Sequence, residues 1–341
     1  MTPYADLPEY CFWKAGVSRS DPLTVKDLYQ PKVELGPRDW IATAGSCFAQ
    51  HVAGALRQSG YRYRDVEPGP PWLDQETLQA HGYGIHSARY GNIYTARQLL
   101  QLAREAFEEF QPAEVAWQRK DRFYDAMRPS VDPQGLDSVE EVSQLRSHHL
   151  MRVRQLFSHM NVFIFTVALT EAWADASGST VFPTAPGVLA GTWDAGRYQF
   201  VDFSAEEILA DLNAFRELVI SHNRHFRMIV SVSPIPLMAT ATDRHVLVSD
   251  TGSKAALRAA TGAFATAHDN VDYFPAFELI ATPFSRAAFY EQGLRAVSQD
   301  GFDAALRVFF QAHPPIEGTT YSPASAQSPI GDGQLAEVMA E

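Results

Sequence analysis

The stretch "NVFIFTVAL", residues 161–169, restricts the fold more than any other. It is a continuous apolar run rich in β-branched and aromatic residues, with no polar alternation. A strand of this kind is buried on both faces, as in a parallel sheet. It is also far too short to cross a bilayer. A second run of the same character, "FRMIVSVSP" (226–234), is closed by Pro234. "WIATA" (40–44) reads as the first strand and "VDYFPAF" (271–277) as the last. Helical patterns lie between them. Phe48, Val52 and Leu56 share one helical face, and Gly60 suits the C-terminal end of that helix. Thr95 caps a helix from Ala96 to about Phe110, and another is predicted over Val139–His159. Ser204 caps 205–222 with Glu206 and Glu207 in its first turn. Asp250 or Thr251 opens a helix reaching about 268, and 301–311 forms the last. Residues 61–95 and the stretch "EAWADASGSTVFPTAPGV" (171–188) read as loops, and "YQFVDF" (198–203) as a short edge strand. Strands alternating with helices predict an α/β fold, a three-layer α/β/α sandwich around a central parallel sheet.

The 341 residues, 46% of them hydrophobic, suffice for a large core. Residues 1–39 carry Pro3, Pro8, Pro22, Pro31 and Pro37 and read as an irregular lead-in. The α/β domain is expected over 40–313. Residues 314–341, rich in Pro, Ser, Gly and Thr and without Lys or Arg, read as a flexible acidic tail. With 28 basic against 40 acidic residues the formal charge is −12. Such a chain is poorly suited to sequence-independent nucleic-acid binding, which runs on clustered cations. Two cysteines, Cys11 and Cys47, make neither a disulfide framework nor a zinc site. Without a leader-like N-terminus or a membrane-length apolar run, a cytoplasmic setting with no membrane partner is the expectation.

In open α/β sheets ligands sit beyond the carboxyl ends of the strands. Polar groups follow each apolar run here: "GSC" (45–47), "ALTEAW" (168–173) and "SVSPIP" (231–236), with Ser233 a substrate-binding candidate. Ser46 stands on the turn between strand and helix. It is either an N-cap or a nucleophile beside the free N–H groups of the first helical turn, which can stabilise an oxyanion. Cys47 is the competing nucleophile, since a helix N-terminus lowers a thiol's pKa. Lys254 and Arg258, four residues apart near a predicted helix start, are either a solvated face or an anion cradle. "YRYRDVEPGPPW" (61–72) offers aromatic rings that can stack on sugars or cover a core edge.

These blocks resemble one family. "TAGSCFAQHVAGAL" (43–56) is similar to the defining motif of the GSCFA domain family, which is assigned to the SGNH/GDSL hydrolase superfamily. "GNIYTARQLLQL" (91–102), "LTEAW" (169–173), "SVSPIPLMATATDRHV" (231–246), "SKAALRAA" (253–260) and "DYFPAFEL" (272–279) follow in family order, so that the resemblance spans roughly 40–310. It implies a flavodoxin-like SGNH hydrolase fold and a serine esterase or acyltransferase. Ser46 would attack an acyl ester of a small molecule or carbohydrate and form an acyl-enzyme. No cofactor is required, although a coenzyme A thioester is conceivable as acyl donor. The superfamily pattern puts an oxyanion hole at the Ser46 N–H, a glycine N–H (Gly91 or Gly84) and an asparagine side chain. Thr170, in "ALTE", stands where that asparagine is expected, and Asn92 is an alternative donor.

The sequence departs from the pattern near its end. The superfamily has Asp-x-x-His before the last helix, and in "FYEQGLRAVSQDGF" (289–302) Gly293 and Ala296 take those two places. A serine without a base is a weak nucleophile. His245 and His86 are the best-placed substitutes, with Glu171 or Glu291 as carboxylate alternatives. The remaining possibility is a protein that binds a glycan or another ligand on this scaffold without hydrolysing it. Acyl group, acceptor and oligomeric state are not legible.

Overall fold

The computed structural model of the chain describes residues 2–319, apart from the Cys47 side chain. The predicted acidic tail therefore lies mostly outside the described residues. In chain order the elements are β1 (Trp40–Gly45), α1 (Cys47–Gln58), β2 (Arg62–Tyr63), α2 (Gln75–Ala80), α3 (Ala96–Ala106), β3 (Ala116–Arg119) and β4 (Arg122–Asp125). They continue with α4 (Val139–His159), β5 (Val162–Val167), β6 (Glu171–Asp175), β7 (Val181–Phe182), β8 (Tyr198–Asp202), α5 (Ala205–His222) and β9 (Arg227–Val232). The last are α6 (Val246–Ala267), β10 (Val271–Tyr273), α7 (Ala276–Ala281) and α8 (Gln299–Ala312).

Five strands pair in parallel in the order β2-β1-β5-β9-β10. Counted along the chain this is 2-1-3-4-5, the flavodoxin-like order, which reverses direction between β1 and β5. The period of two along each strand divides the core into two layers. Ala42, Ala44, Phe163, Phe165, Val167, Met228, Val230 and Val232 pack with Leu99 of α3, Phe157 of α4, Phe215 of α5 and Phe264 of α6. Ile41, Val162, Ile164 and Ile229 pack on the other side with Phe48 and Leu56 of α1, Leu279 of α7 and Phe309 of α8. The result is the expected three-layer α/β/α sandwich. Among the described residues no helix is long and apolar enough to cross a membrane.

The lead-in is not merely irregular wrapping. Val25, Tyr29 and Val33 belong to the second core layer. The Tyr29 hydroxyl and the N–H groups of Lys32 and Val33 all donate to Asp272 Oδ2, at 2.9, 2.7 and 3.1 Å. This straps residues 29–33 to the β10 edge. At the other end, Ile316 N–H donates to Ser59 O at 2.9 Å and Tyr61 donates to Pro314 O at 2.8 Å, so the first residues past 313 are packed.

Local readings changed in four places. The stretch 171–188, expected as loop, supplies β6 and β7. These pair with β8 in a separate antiparallel sheet, ordered β7-β6-β8, in which "YQFVDF" is the expected short edge strand. In β6 buried Ala172 and Ala174 alternate with half-buried neighbours, and the Asp175 side chain accepts the Ser177 N–H in the turn that follows. The stretch before α4 forms a hairpin, β3–β4, and Trp117, Tyr124, Phe182 and Tyr198 pack it against the small sheet. Residues 61–95 contain β2 and α2. Finally, α6 opens at Val246 rather than at Asp250 or Thr251. The reason is visible in the hydrogen bonds: Asp250 accepts the Leu237 N–H, and Thr251 donates back to Leu247 O within the helix.

Candidate functional site

Gly45 ends β1 with φ +143°, and a Cβ there would lie 2.6 Å from Thr166 O and 2.9 Å from the Ala49 Cβ. Only glycine lets the chain leave the strand and begin α1 within one residue while packed this closely. Ser46 is thereby set at the N-cap of α1. Its side chain makes no capping hydrogen bond. The residue is 3% exposed, and its Oγ has no hydrogen-bond partner. An unsatisfied buried hydroxyl is costly, of the order of 1–3 kcal/mol, so its presence requires an explanation.

Ser46 lines a cleft of about 290 Å³. Gly45 pairs with Thr166, and Val167 with Val232, so the strand ends carrying Ser46, Ala168 and Ser233 finish at about one level. The cleft therefore opens at the β1/β5 reversal, where α/β sheets hold ligands. One wall is Leu169, Glu171, Ala172 and Trp173 with Phe182, Thr184, Val188 and Phe200 from the small antiparallel sheet and its connections. Residues 235–241, after β9, form another wall, and Arg295 reaches in from the segment before α8. Trp173 packs edge-on against Phe200 at 5.5 Å and against Trp193 at 4.8 Å. Thr184, 9% exposed, contributes a second hydroxyl without a partner.

Of the residues singled out in the sequence, Ser46, Glu171 and Ser233 share this cleft. Glu171 accepts from Thr240 Oγ1 at 2.7 Å and from the Ala241 N–H at 3.4 Å, tying the 235–241 wall to β6. Ser233 Oγ accepts the Ile235 N–H at 3.3 Å.

The other candidates are placed elsewhere. All eleven histidines are described and none lines the cleft. His245 is exposed and caps α6, with Nδ1 accepting the Leu247 N–H at 3.2 Å. His86 is buried with Nε2 3.4 Å from Asn92 Oδ1, and burial, reinforced by Arg57, lowers its pKa to about 4. Asn92 is engaged with Gln50, His86 and Tyr94 and does not line the Ser46 cleft. Thr170 donates its one hydroxyl proton to Asp202 Oδ1 at 2.6 Å, which removes it from that role. Gly91 lines a separate, smaller cavity with Ser130, and Gly84 sits in the turn after α2. Lys254 is 3% exposed, and its Nζ donates to Ala168 O at 2.9 Å. Arg258 pairs with Glu278 over the Tyr273 ring. Both lie well inside α6, away from the free N–H groups of its first turn, so they form no anion cradle there.

The segment replacing Asp-x-x-His is a tight turn. Tyr290 bridges Val297, the Glu291 N–H donates to Ala296 O, and Leu294 takes φ +55°. Gly293 and Ala296 are exposed, and Arg295 is the residue turned toward the cleft. The Tyr290 hydroxyl donates to Pro234 O at 2.6 Å, holding this turn to the wall after β9. Arg295, Trp173, Phe200 and Thr184 were not singled out by sequence. The apolar run "IPLMA" (235–239) directly after a strand end was the available signal. Among the described residues no group of three or more His, Cys, Asp or Glu could hold a metal ion.

Residues 40–309 match the GSCFA family. No curated protein matches the chain.

Proposed function

The chain belongs to the GSCFA family, and from that premise we propose that it is a small-ligand-binding protein on a serine-hydrolase type of scaffold, with no imidazole to activate the serine. One observation carries this reading. Ser46 Oγ has no hydrogen-bond partner, and the cleft around it contains no histidine. General-base activation requires an acceptor within about 3 Å of the hydroxyl, directly or through one water. The α1 N-terminus gives the Ser46 end of the cleft positive character, which favours binding a carbonyl or carboxylate. Labelling of the folded protein with a fluorophosphonate, with peptide mapping on wild type, Ser46→Ala and Cys47→Ala, tests the reading. No stoichiometric adduct on Ser46 is expected. A Ser46 adduct that is lost in Ser46→Ala and kept in Cys47→Ala would overturn it.

A second reading rests on Glu171, the carboxylate that lines the same cleft. Acting as base, it would make the protein an esterase or acyltransferase, drawing its acyl group from an ester or a coenzyme A thioester. This reading requires Ser46 labelling that Glu171→Gln abolishes.

A further inference from the structure

The small antiparallel sheet has two outer edges, and they are finished differently. On β7 the Gln101 side chain closes the edge: its Oε1 accepts the Val181 N–H at 2.7 Å and its Nε2 donates to Val181 O at 2.9 Å. On β8 the register decides which groups point outward. The Phe203 N–H donates to Thr170 O, and bonded pairs alternate along an antiparallel ladder. Val201 and Gln199 therefore face β6, while Phe200 and Asp202 turn their N–H and C=O groups away from it. Among the described residues, the N–H and C=O of Phe200 and the N–H of Asp202 have no protein partner. Asp202 is exposed, and Phe200 is half-buried at the wall of the Ser46 cleft. An open row of backbone groups is a template for one more strand.

The side chains select the strand. Phe200 stands opposite Trp173 and Asp202 opposite Glu171, all four on one face. The first pair is aromatic. The second sets two carboxylates side by side, an unfavourable cross-strand arrangement. Both accept from neutral donors, Glu171 from Thr240 and Ala241 and Asp202 from Thr170. Among the described residues neither pairs with a basic side chain. A third strand that sets an apolar side chain beside Phe200 and a cation beside Asp202 completes both rows. Antiparallel pairing, slightly more stable per residue than parallel, puts the cation two residues before the apolar side chain.

We infer that the β8 edge binds an extended peptide segment carrying a basic residue two positions before an apolar one, through antiparallel backbone pairing with Phe200 and Asp202. The edge is open whether or not Ser46 is activated.

Calorimetric titration of the full chain with the peptide acetyl-TKTITT-amide measures affinity. ¹⁵N-phenylalanine labelling, with the Phe200 amide assigned through Phe200→Leu, reports pairing at β8. Saturable binding that shifts the Phe200 amide and slows its hydrogen exchange about tenfold or more is expected. N-methylation of the isoleucine removes the donor to Phe200 O and should weaken binding about tenfold. Replacing the lysine by glutamate should weaken it by a similar factor, and Asp202→Asn should cut that difference to about threefold or less. Phe200→Pro puts a ring where the outward N–H stood, at a position whose N–H takes no part in the β6 ladder. The fold should stand, as for prolines on edge strands, with binding about tenfold below that of Phe200→Leu. If Phe200→Pro does not fold, the N-methylated peptide on the wild type decides. Equal binding of the N-methylated and parent peptides, an unmoved Phe200 amide, or no binding by any peptide overturns the inference. So does a dimer in sedimentation velocity that Phe200→Pro dissociates, for the edge then holds a second copy of this chain.

Discussion

Two buried polar regions of this molecule behave oppositely, one of charged residues and one of hydroxyls. The first joins β4, α3 and α4. Asp125 accepts from Arg128 Nε at 2.7 Å and from Arg146 Nη1 at 2.9 Å, and Arg146 also pairs with Glu105. Nearby, Glu67 accepts the Arg89 N–H and His149 Nδ1, each at 2.7 Å, and Arg89 reaches Asp132 at 2.9 Å. Burial alone would raise the Asp125 pKa, but Arg146 and Arg128 prevail and hold it at about 2. Glu67 is likewise held at about 2 despite burial, chiefly by His149. The second region is the cleft, where Ser46 and Thr184 carry hydroxyls without partners. The carboxylates of the first region are answered by guanidinium, imidazole and backbone donors, although His149 Nε2 there has no partner, while in the second the buried Ser46 and Thr184 hydroxyls have none. Partnered carboxylates and guanidiniums fix a structure, and an unpartnered hydroxyl does not.

The sharpest way to break this comparison is Asp125→Ala. It leaves buried Arg128 without a carboxylate and Arg146 with Glu105 alone, and should cost about 3–5 kcal/mol, the usual loss on removing one partner of a buried pair. Urea unfolding monitored by circular dichroism measures it. A loss under 1 kcal/mol would mean that the network does not hold the fold.

Acid comes next. Burial lowers the pKa of His51, His86, His149 and His313 from 6.5 to about 4, with Arg128 adding to the effect at His149 and Arg57 at His86. Above pH 6.5 these groups are neutral in both folded and unfolded chains. Between 6.5 and 4 the unfolded chain binds protons that the folded chain refuses, so stability falls with pH in that window. Each group can contribute up to about 3 kcal/mol. Four such terms rival a domain's whole stability. Asp125 and Glu67 act lower, between their ordinary carboxylate range and pH 2. Thermal melts from pH 8 to 4 should show a nearly level Tm above 6.5 and a steep decline below it. A level profile down to pH 5 would contradict burial of these rings as neutral groups.

The smallest effect separates the two regions most cleanly. Ser46→Ala removes a hydroxyl that bonds to nothing in the fold, so stability should stay within about 0.5 kcal/mol or rise slightly. A loss above 1 kcal/mol in the same urea assay would show that the hydroxyl serves the fold after all.

The architecture was legible from the chain itself because it depends on local pattern. The unbroken apolar run at 161–169 requires cover on both faces, and the helical faces at 48–56, 139–159 and 205–222 provide it within short sequence distance. The Gly45-Ser46 turn was legible for the same reason, since strand, glycine and helix cap are consecutive. What the hydroxyl of Ser46 faces was not. That depends on β6–β8, whose pairing joins residues 171–182 to 198–202, and on a turn that brings Arg295 to the cleft lined by a serine 249 positions earlier. Thr170 suited its expected role by residue type, and its hydroxyl is instead bonded to Asp202, a partner that packing supplied. Side-chain chemistry is written locally, but whether a polar group is answered or left open is decided only when distant segments meet.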